Sequence, residues 1–206
     1  MLDQRAERKR VAVLISGRGS NMVALIDAAK AADYPAAIVL VLSNNPDAAG
    51  LTYAREAGIA TVTVDHRPFK ENRVAFEQAL NAQLQAHRVD LVCLAGFMRL
   101  LMPDFVQRWS GRMLNIHPAL LPQFKGLHTH RRALEAGVRE HGATVHFVVP
   151  EMDSGPIVLQ ASVPVRDNDT EQSLAQRVLE VEHRIYPQAL RMVAEGRTKF
   201  DPGAAR

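Results

Sequence analysis

Val11-Ala12-Val13-Leu14-Ile15-Ser16-Gly17-Arg18-Gly19-Ser20-Asn21 decides how the chain is organised. Its opening apolar run is the pattern of a strand buried on both faces of a parallel sheet. After a Gly-containing turn, Met22, Leu25, Ile26 and Ala29 recur at helical spacing. A strand that feeds a helix through such a turn leaves backbone N–H groups free at the positive helix end. That favours an anion, typically phosphate. The third glycine of a dinucleotide fingerprint is absent, Met22 standing in its place, and the next strand closes on Ser43-Asn44-Asn45 rather than on an acid. No Gly-Lys-Ser/Thr is present for a nucleoside triphosphate. The loop suits one phosphate monoester; the alternative is a tight turn that binds nothing.

The alternation of strand and helix continues outward. Residues 37–42, 61–64 and 91–95 read as strands, and 47–57, stopped by Gly58, and 68–86 as helices. Met113-Leu114-Asn115-Ile116 is a further short apolar run, and 128–136 a helix ended by Gly137. Strands at 144–149 and 157–165 are joined by a turn too short for a crossover, so they form an antiparallel hairpin. Asp169 with Gln172 resembles a capping box. It opens a helix running to about Met192 and bent near Pro187. Segments 1–10 and 197–206 are expected to fray. The pattern predicts a single α/β domain over 1–206: a mostly parallel twisted sheet with helices on both faces and an antiparallel C-terminal strand pair.

Composition narrows the function. Of 206 residues, 47% are hydrophobic and 23% charged, ordinary for a soluble enzyme. The net charge is +3, but the basic residues are spread along the chain, which argues against a nucleic-acid partner. Cys93 is the single cysteine, so an internal disulfide and a multi-Cys zinc site are excluded; it lies in an apolar run and should be buried and inert. The first ten residues lack the apolar centre of a signal peptide, and no stretch reaches the ~18 apolar residues that span a bilayer. The expectation is a cytoplasmic protein with small-molecule substrates and no membrane partner, as monomer or homodimer.

The chemistry gathers in 115–153. If 113–117 is a strand, side chains alternate, so Asn115 and His117 point the same way at its end. An amide beside an imidazole suits a reaction that builds negative charge on a carbonyl oxygen. The amide holds the oxygen, and the imidazole stabilises it or relays a proton. Asp153, on a Gly-containing turn, is the nearest downstream acid able to orient that ring. The alternative is a buried Asn bonded to backbone and a His closing a strand. The apolar loop Gly96-Phe97-Met98-Arg99-Leu100-Leu101-Met102-Pro103 follows a strand's C-terminal end, where open α/β sheets put ligands. It reads either as a wall for a flat heterocycle or as a hydrophobic plug. The Pro- and His-rich connection before His130 is a candidate lid.

Together these segments are familiar. Residues 14–21, 94–99, Asn115-Ile116-His117-Pro118-Ala119-Leu120-Leu121-Pro122, Gly126-Leu127-His128-Thr129-His130, Val145-His146-Phe147, Asp153-Ser154-Gly155-Pro156 and Glu182-His183 resemble the folate-dependent phosphoribosylglycinamide formyltransferases. The likeness runs from about Val11 to Gly196 and implies a Rossmann-like formyltransferase fold. It also implies formyl transfer from 10-formyltetrahydrofolate to the glycinamide amine in purine synthesis, with no metal and no covalent enzyme intermediate. By that likeness Asn115 holds the formyl oxygen, His117 stabilises the oxyanion and handles the proton, and Asp153 favours the charged form of His117. Gly19, Ser20 and Asn21 would cradle the ribotide phosphate, and Glu182 would contact the ribotide's hydroxyls or amine. Folate would lie against Met98, Arg99, Leu100, Leu101 and Asn115 and the turn Val149, Pro150, Glu151, Met152 and Asp153, with Arg73 and Arg99 near its polar groups. Two positions depart from the family. Arg18 stands where asparagine is common, and Leu179 where a polar or basic residue is. The rival readings are hydrolysis of formyltetrahydrofolate and a catalytically silent nucleotide-binding module of the same fold.

Overall fold

The computed structural model describes residues 8–70, 72–201 and 203. Along the chain run β1 (Lys9–Ile15), α1 (Ser20–Ala29), β2 (Ala36–Ser43), α2 (Gly50–Glu56), β3 (Ala60–Thr63), α3 (Arg73–Ala86) and β4 (Leu91–Leu94). There follow α4 (Pro103–Arg108), β5 (Met113–His117), α5 (Thr129–Glu135), β6 (Glu140–Phe147), β7 (Ile157–Pro164) and α6 (Glu171–Ala194). The strands form one seven-stranded sheet in the order β3-β2-β1-β4-β5-β6-β7. Pairings from β3 through β5 are parallel; β6 is antiparallel to β5, and β7 to β6.

Strand alternation sorts the core into two layers. Val11, Val13 and Ile15 of β1 face Met22, Leu25 and Ile26 of α1 and Leu174, Val178 and Ile185 of α6. Ala12 and Leu14 face the other way, into a cluster with Phe76, Leu80 and Leu84 of α3 and Phe105 of α4. Both faces of the central strands are therefore buried, which is why they read as unbroken apolar runs. Tyr186 of α6, buried, brings its hydroxyl to 3.0 Å from the Leu94 carbonyl and 3.2 Å from that of Leu114. This ties the long helix to the ends of β4 and β5.

The fold class is as the sequence predicts, and several boundaries are not. The expected helix at 68–86 is interrupted. Arg67–Phe69 is a 3-10 turn, Lys70 takes φ 49°, and α3 starts only after Asn72, whose side chain accepts the Ala75 N–H at 3.0 Å. The strand expected at 144–149 begins at Glu140 and stops at Phe147. The antiparallel part of the sheet therefore includes the β5–β6 pairing as well as the C-terminal hairpin. The helix expected at 47–57 is Gly50–Glu56, that at 128–136 is Thr129–Glu135, and α6 continues through Pro187 to Ala194. The capping box is formed by Thr170 and Ser173, one residue beyond the expected pair. Asp169 is instead forked onto Arg177, both contacts 2.8 Å, which holds its carboxyl well below the usual range. Of the ends expected to fray, residues 1–7, 202 and 204–206 lie outside the described residues, while Lys9 and Arg10 belong to β1.

Candidate active site

The strand order reverses between β1 and β4, and in open α/β sheets ligands bind in the crevice beyond the strand C-termini at that point. A cavity of about 310 Å³ lies there, bounded by Ser16, Gly17, Gly19 and Ser20 after β1 and by Gly96 and Met98 after β4. Gly19 precedes α1 with φ 70°, a left-handed conformation that glycine adopts without strain. A β-carbon there would come within 3.3 Å of the Met22 methyl. No side chain caps α1, so its first-turn N–H groups remain available at the positive end of the helix dipole. The Gly50 N–H donates to the Gly17 carbonyl at 3.1 Å and so braces the loop against α2.

The sequence-predicted ribotide residues divide by role. Gly19, Ser20 and Asn21 all line the cavity, as does the exposed Arg18. The Asn21 amide donates to Glu182 across a buried 2.5 Å contact that joins α1 to α6. Burial raises the Glu182 carboxyl above its ordinary range, and the Asn21 bond opposes that rise. Leu179, one turn earlier on α6, is half-buried.

At the end of β5, Asn115, His117 and Asp153 come together. His117 is buried; its Nε2 donates to the Phe124 carbonyl at 3.0 Å, and its Nδ1 lies 3.5 Å from Asp153 Oδ2. Asp153 sits at φ 50° and accepts the Gly126 N–H at 2.8 Å, so one carboxylate faces both the histidine and the connection that follows it. Glycine is obligatory in the Asp153 turn, because a β-carbon on Gly155 would meet the Phe147 carbonyl at 1.8 Å. The base of the 118–128 connection is pinned by Thr144. Its hydroxyl donates to the Ala119 carbonyl at 2.6 Å and accepts the Leu121 N–H at 3.1 Å.

His146 completes this centre, and sequence reasoning gave it no role. The β5–β6 register sets it opposite Asn115. Its Nδ1 lies 2.9 Å from the Phe147 carbonyl, which places the ring proton there and leaves Nε2 to accept from the Asn115 amide at 3.2 Å. Burial lowers the His146 pKa and keeps the ring neutral; the Phe147 carbonyl and Asp153, whose Oδ1 is 3.7 Å away, oppose that shift. One Asn115 N–H is thereby fixed and the amide orientation with it, leaving the second N–H to a ligand. The sequence signals for this were a polar residue in an apolar strand and its place in the Val145-His146-Phe147 segment of the resemblance.

The 96–102 loop has features of both readings, plug and wall. Met98 and Leu100 are 69% and 65% exposed, while Phe97 and Leu101 pack on the core. Met152, on the turn that carries Asp153, is 51% exposed. Arg99, Pro150 and Glu151 are exposed and Val149 is half-buried. Arg73, expected near folate's polar groups, donates to the Leu100 carbonyl at 2.6 Å. Glu77, also missed by the sequence reading, accepts the Met102 N–H at 2.7 Å. Among the described residues no group of His, Cys, Asp or Glu side chains is arranged to hold a metal.

The formyl transferase family model matches residues 9–190. The chain belongs to the formyl transferase family. Among formyl transferases, the phosphoribosylglycinamide formyltransferase of Escherichia coli is 49% identical over 195 residues, covering 95% of this chain and 92% of that one. The human trifunctional purine biosynthetic protein adenosine-3 is 51% identical over 190 residues, but this chain spans only 19% of its length. The first curated relatives matched are all of this trifunctional kind, with 15% to 19% of their length spanned. A solved structure of glycinamide ribonucleotide transformylase 1 from Symbiobacterium toebii superposes with a TM-score of 0.93 at 46% identity, covering 98% of this chain and 95% of that one. Phosphoribosylglycinamide formyltransferase from Brucella melitensis gives a TM-score of 0.88 at 51% identity, with 95% and 100% covered.

Proposed function

We propose that this formyl transferase carries the formyl group of 10-formyltetrahydrofolate to the amine of 5-phosphoribosylglycinamide, in the cytoplasm and on the de novo route to purines. The observation that carries the reading is the meeting of Asn115, His117 and Asp153 at the end of β5, one crevice away from an uncapped helix N-terminus. The names of the E. coli and B. melitensis relatives support phosphoribosylglycinamide as the acceptor of the formyl group.

In this reading the ribotide phosphate binds the backbone of Gly19, Ser20 and Asn21, and Glu182 holds the sugar end. The folate ring lies on Met98 and Leu100 and reaches the 149–153 turn. The glycinamide amine attacks the formyl carbon, and the carbonyl π electrons move to oxygen. The free N–H of Asn115 donates to that oxyanion. His117 turns an N–H toward it as the Phe124 carbonyl withdraws with the 118–128 connection. Collapse of the intermediate re-forms the carbonyl and breaks the bond to the folate nitrogen. That nitrogen leaves with a proton handed on from the attacking amine through His117. Asp153 stabilises the imidazolium that forms while His117 carries that proton.

The test is to mix the protein with 5-phosphoribosylglycinamide and 10-formyltetrahydrofolate and follow both products. Stoichiometric formylated ribotide and tetrahydrofolate are expected. Formyl loss without formylated ribotide would make the protein a hydrolase, and no turnover with intact binding would make it a silent module.

A further inference from the structure

Ser16 occupies a position that neither substrate reading uses. It is the residue between the last of β1 and the glycine turn, and it makes two contacts with the loop after β4. Its N–H donates to the Gly96 carbonyl at 3.1 Å, and its hydroxyl accepts the Met98 N–H at 2.7 Å. The hydroxyl proton goes to Asn44 Oδ1 at 2.5 Å, and Asn44 is buried. The Asn44 amide in turn lies 3.2 Å from His66 Nδ1, and the Asn45 amide donates to the Ser16 carbonyl at 3.4 Å. Ser16 thus has a fixed donor role and a fixed acceptor role, and its rotamer is set from behind by the ends of β2 and β3.

The far side of the same loop is held by α3, through Arg73 on the Leu100 carbonyl and Glu77 on the Met102 N–H. Every second residue from 98 to 102 is therefore bonded through its backbone, each time to a side chain. Of these three bonds only the one at Met98 comes from the glycine-turn side. Both loops line the one cavity of about 310 Å³.

We propose that Ser16 is a positioning residue that couples the two halves of the site: as a fixed link between the glycine turn and the Met98 loop, it lets a ligand that orders either loop order the other. Coupling of this kind needs no change of shape. A ligand that orders a shared element removes part of the ordering cost from the other ligand, and the effect is reciprocal. The inference rests on the proposed function, in which the glycine turn takes the ribotide and the Met98 loop takes the folate.

The measurement uses a non-reacting pair, 5-phosphoribosylglycinamide with the product tetrahydrofolate. Calorimetric titration gives the affinity for each ligand alone and in the presence of the other. In the wild type each should tighten the other at least about fivefold, the lower end of ordinary coupling between sites. In Ser16→Ala the tightening should fall to within about twofold of none, while each ligand alone still binds. Ser16→Cys, near in size with a weak sulfur acceptor, should give the same loss, and it replaces the Ala variant if that protein does not fold. Coupling that survives in either variant, or that is absent from the wild type, overturns the proposal. A wild type that binds neither ligand overturns the functional reading instead.

Discussion

His141 is the most informative place to perturb this protein. It lies in β6 with no exposed surface, and neither ring nitrogen has a hydrogen-bond partner of good geometry. The ring packs edge-on against Phe124 at 5.8 Å and His130 at 5.3 Å, directly behind the segment whose carbonyl meets His117. Burial, reinforced by the neighbouring His130 and His117, pushes its pKa from 6.5 down to about 4, against a weak opposing pull from the Pro118 carbonyl. Between those two pH values the unfolded chain binds a proton that the folded protein refuses. The contribution to stability is therefore complete above pH 6.5 and is lost as the pH falls toward 4. At about 1.36 kcal/mol per pH unit, the interval amounts to about 3 kcal/mol. His141→Leu removes the titrating group at similar volume and gives up ring-edge contacts worth about 1 kcal/mol. Urea unfolding should find the variant about 1 kcal/mol less stable at pH 7.5 and more stable than wild type at pH 4.5. His130, His146 and His183 also have pKa values lowered by burial and destabilise in acid with the same sign, so the difference between the two proteins isolates His141. An unchanged gap at the two pH values would refute the reasoning.

Four further outcomes are expected. Asp153→Asn keeps an acceptor for the Gly126 N–H but removes the charge beside His117, and should lower kcat about 100-fold with little change in KM for either substrate; equal loss in both KM values would make the residue structural. His146→Leu removes the acceptor that orients Asn115 and should slow turnover roughly tenfold without weakening ribotide binding. If the same substitution costs as much in an Asn115→Ala background, His146 does not act through Asn115. Gly19→Val forces a branched side chain onto φ 70° and should raise KM for the ribotide at least about tenfold, that for folate far less; the reverse ranking would put the phosphate elsewhere. Met98→Glu places a charge on a side chain that is exposed until folate covers it, so thermal protection by tetrahydrofolate should vanish while melting without ligand stays near wild type.

How much of this was legible depended on how local each feature is. The parallel strands announced themselves because both of their faces are buried, and Asn115 and His117 could be paired by strand alternation alone. Asp153 was reachable because its turn is short and contains Gly155. The start of β6 was not, since Glu140, His141 and Gly142 carry no strand preference; partners on β7 make them a strand. The Asn72 cap lies inside the run assigned to helix, where Pro68 read equally well as a helix start. His146 and Ser16 acquire roles only through cross-strand register or loop-to-loop contact, which no spacing along the chain encodes.

The Asn21–Glu182 contact joins residues 161 positions apart, whereas Asn115, His117 and His146 lie on the neighbouring strands β5 and β6 and Asp153 on the turn that follows β6. The two halves of the site therefore differ in contact order. The Asn115–His117–Asp153 centre closes within the antiparallel part of the sheet, while the glycine turn waits for the last helix to return to the first. The same asymmetry governs local unfolding. Opening of α6 removes the Asn21–Glu182 brace behind the glycine turn, so hydrogen exchange at the start of α1 should follow that of α6.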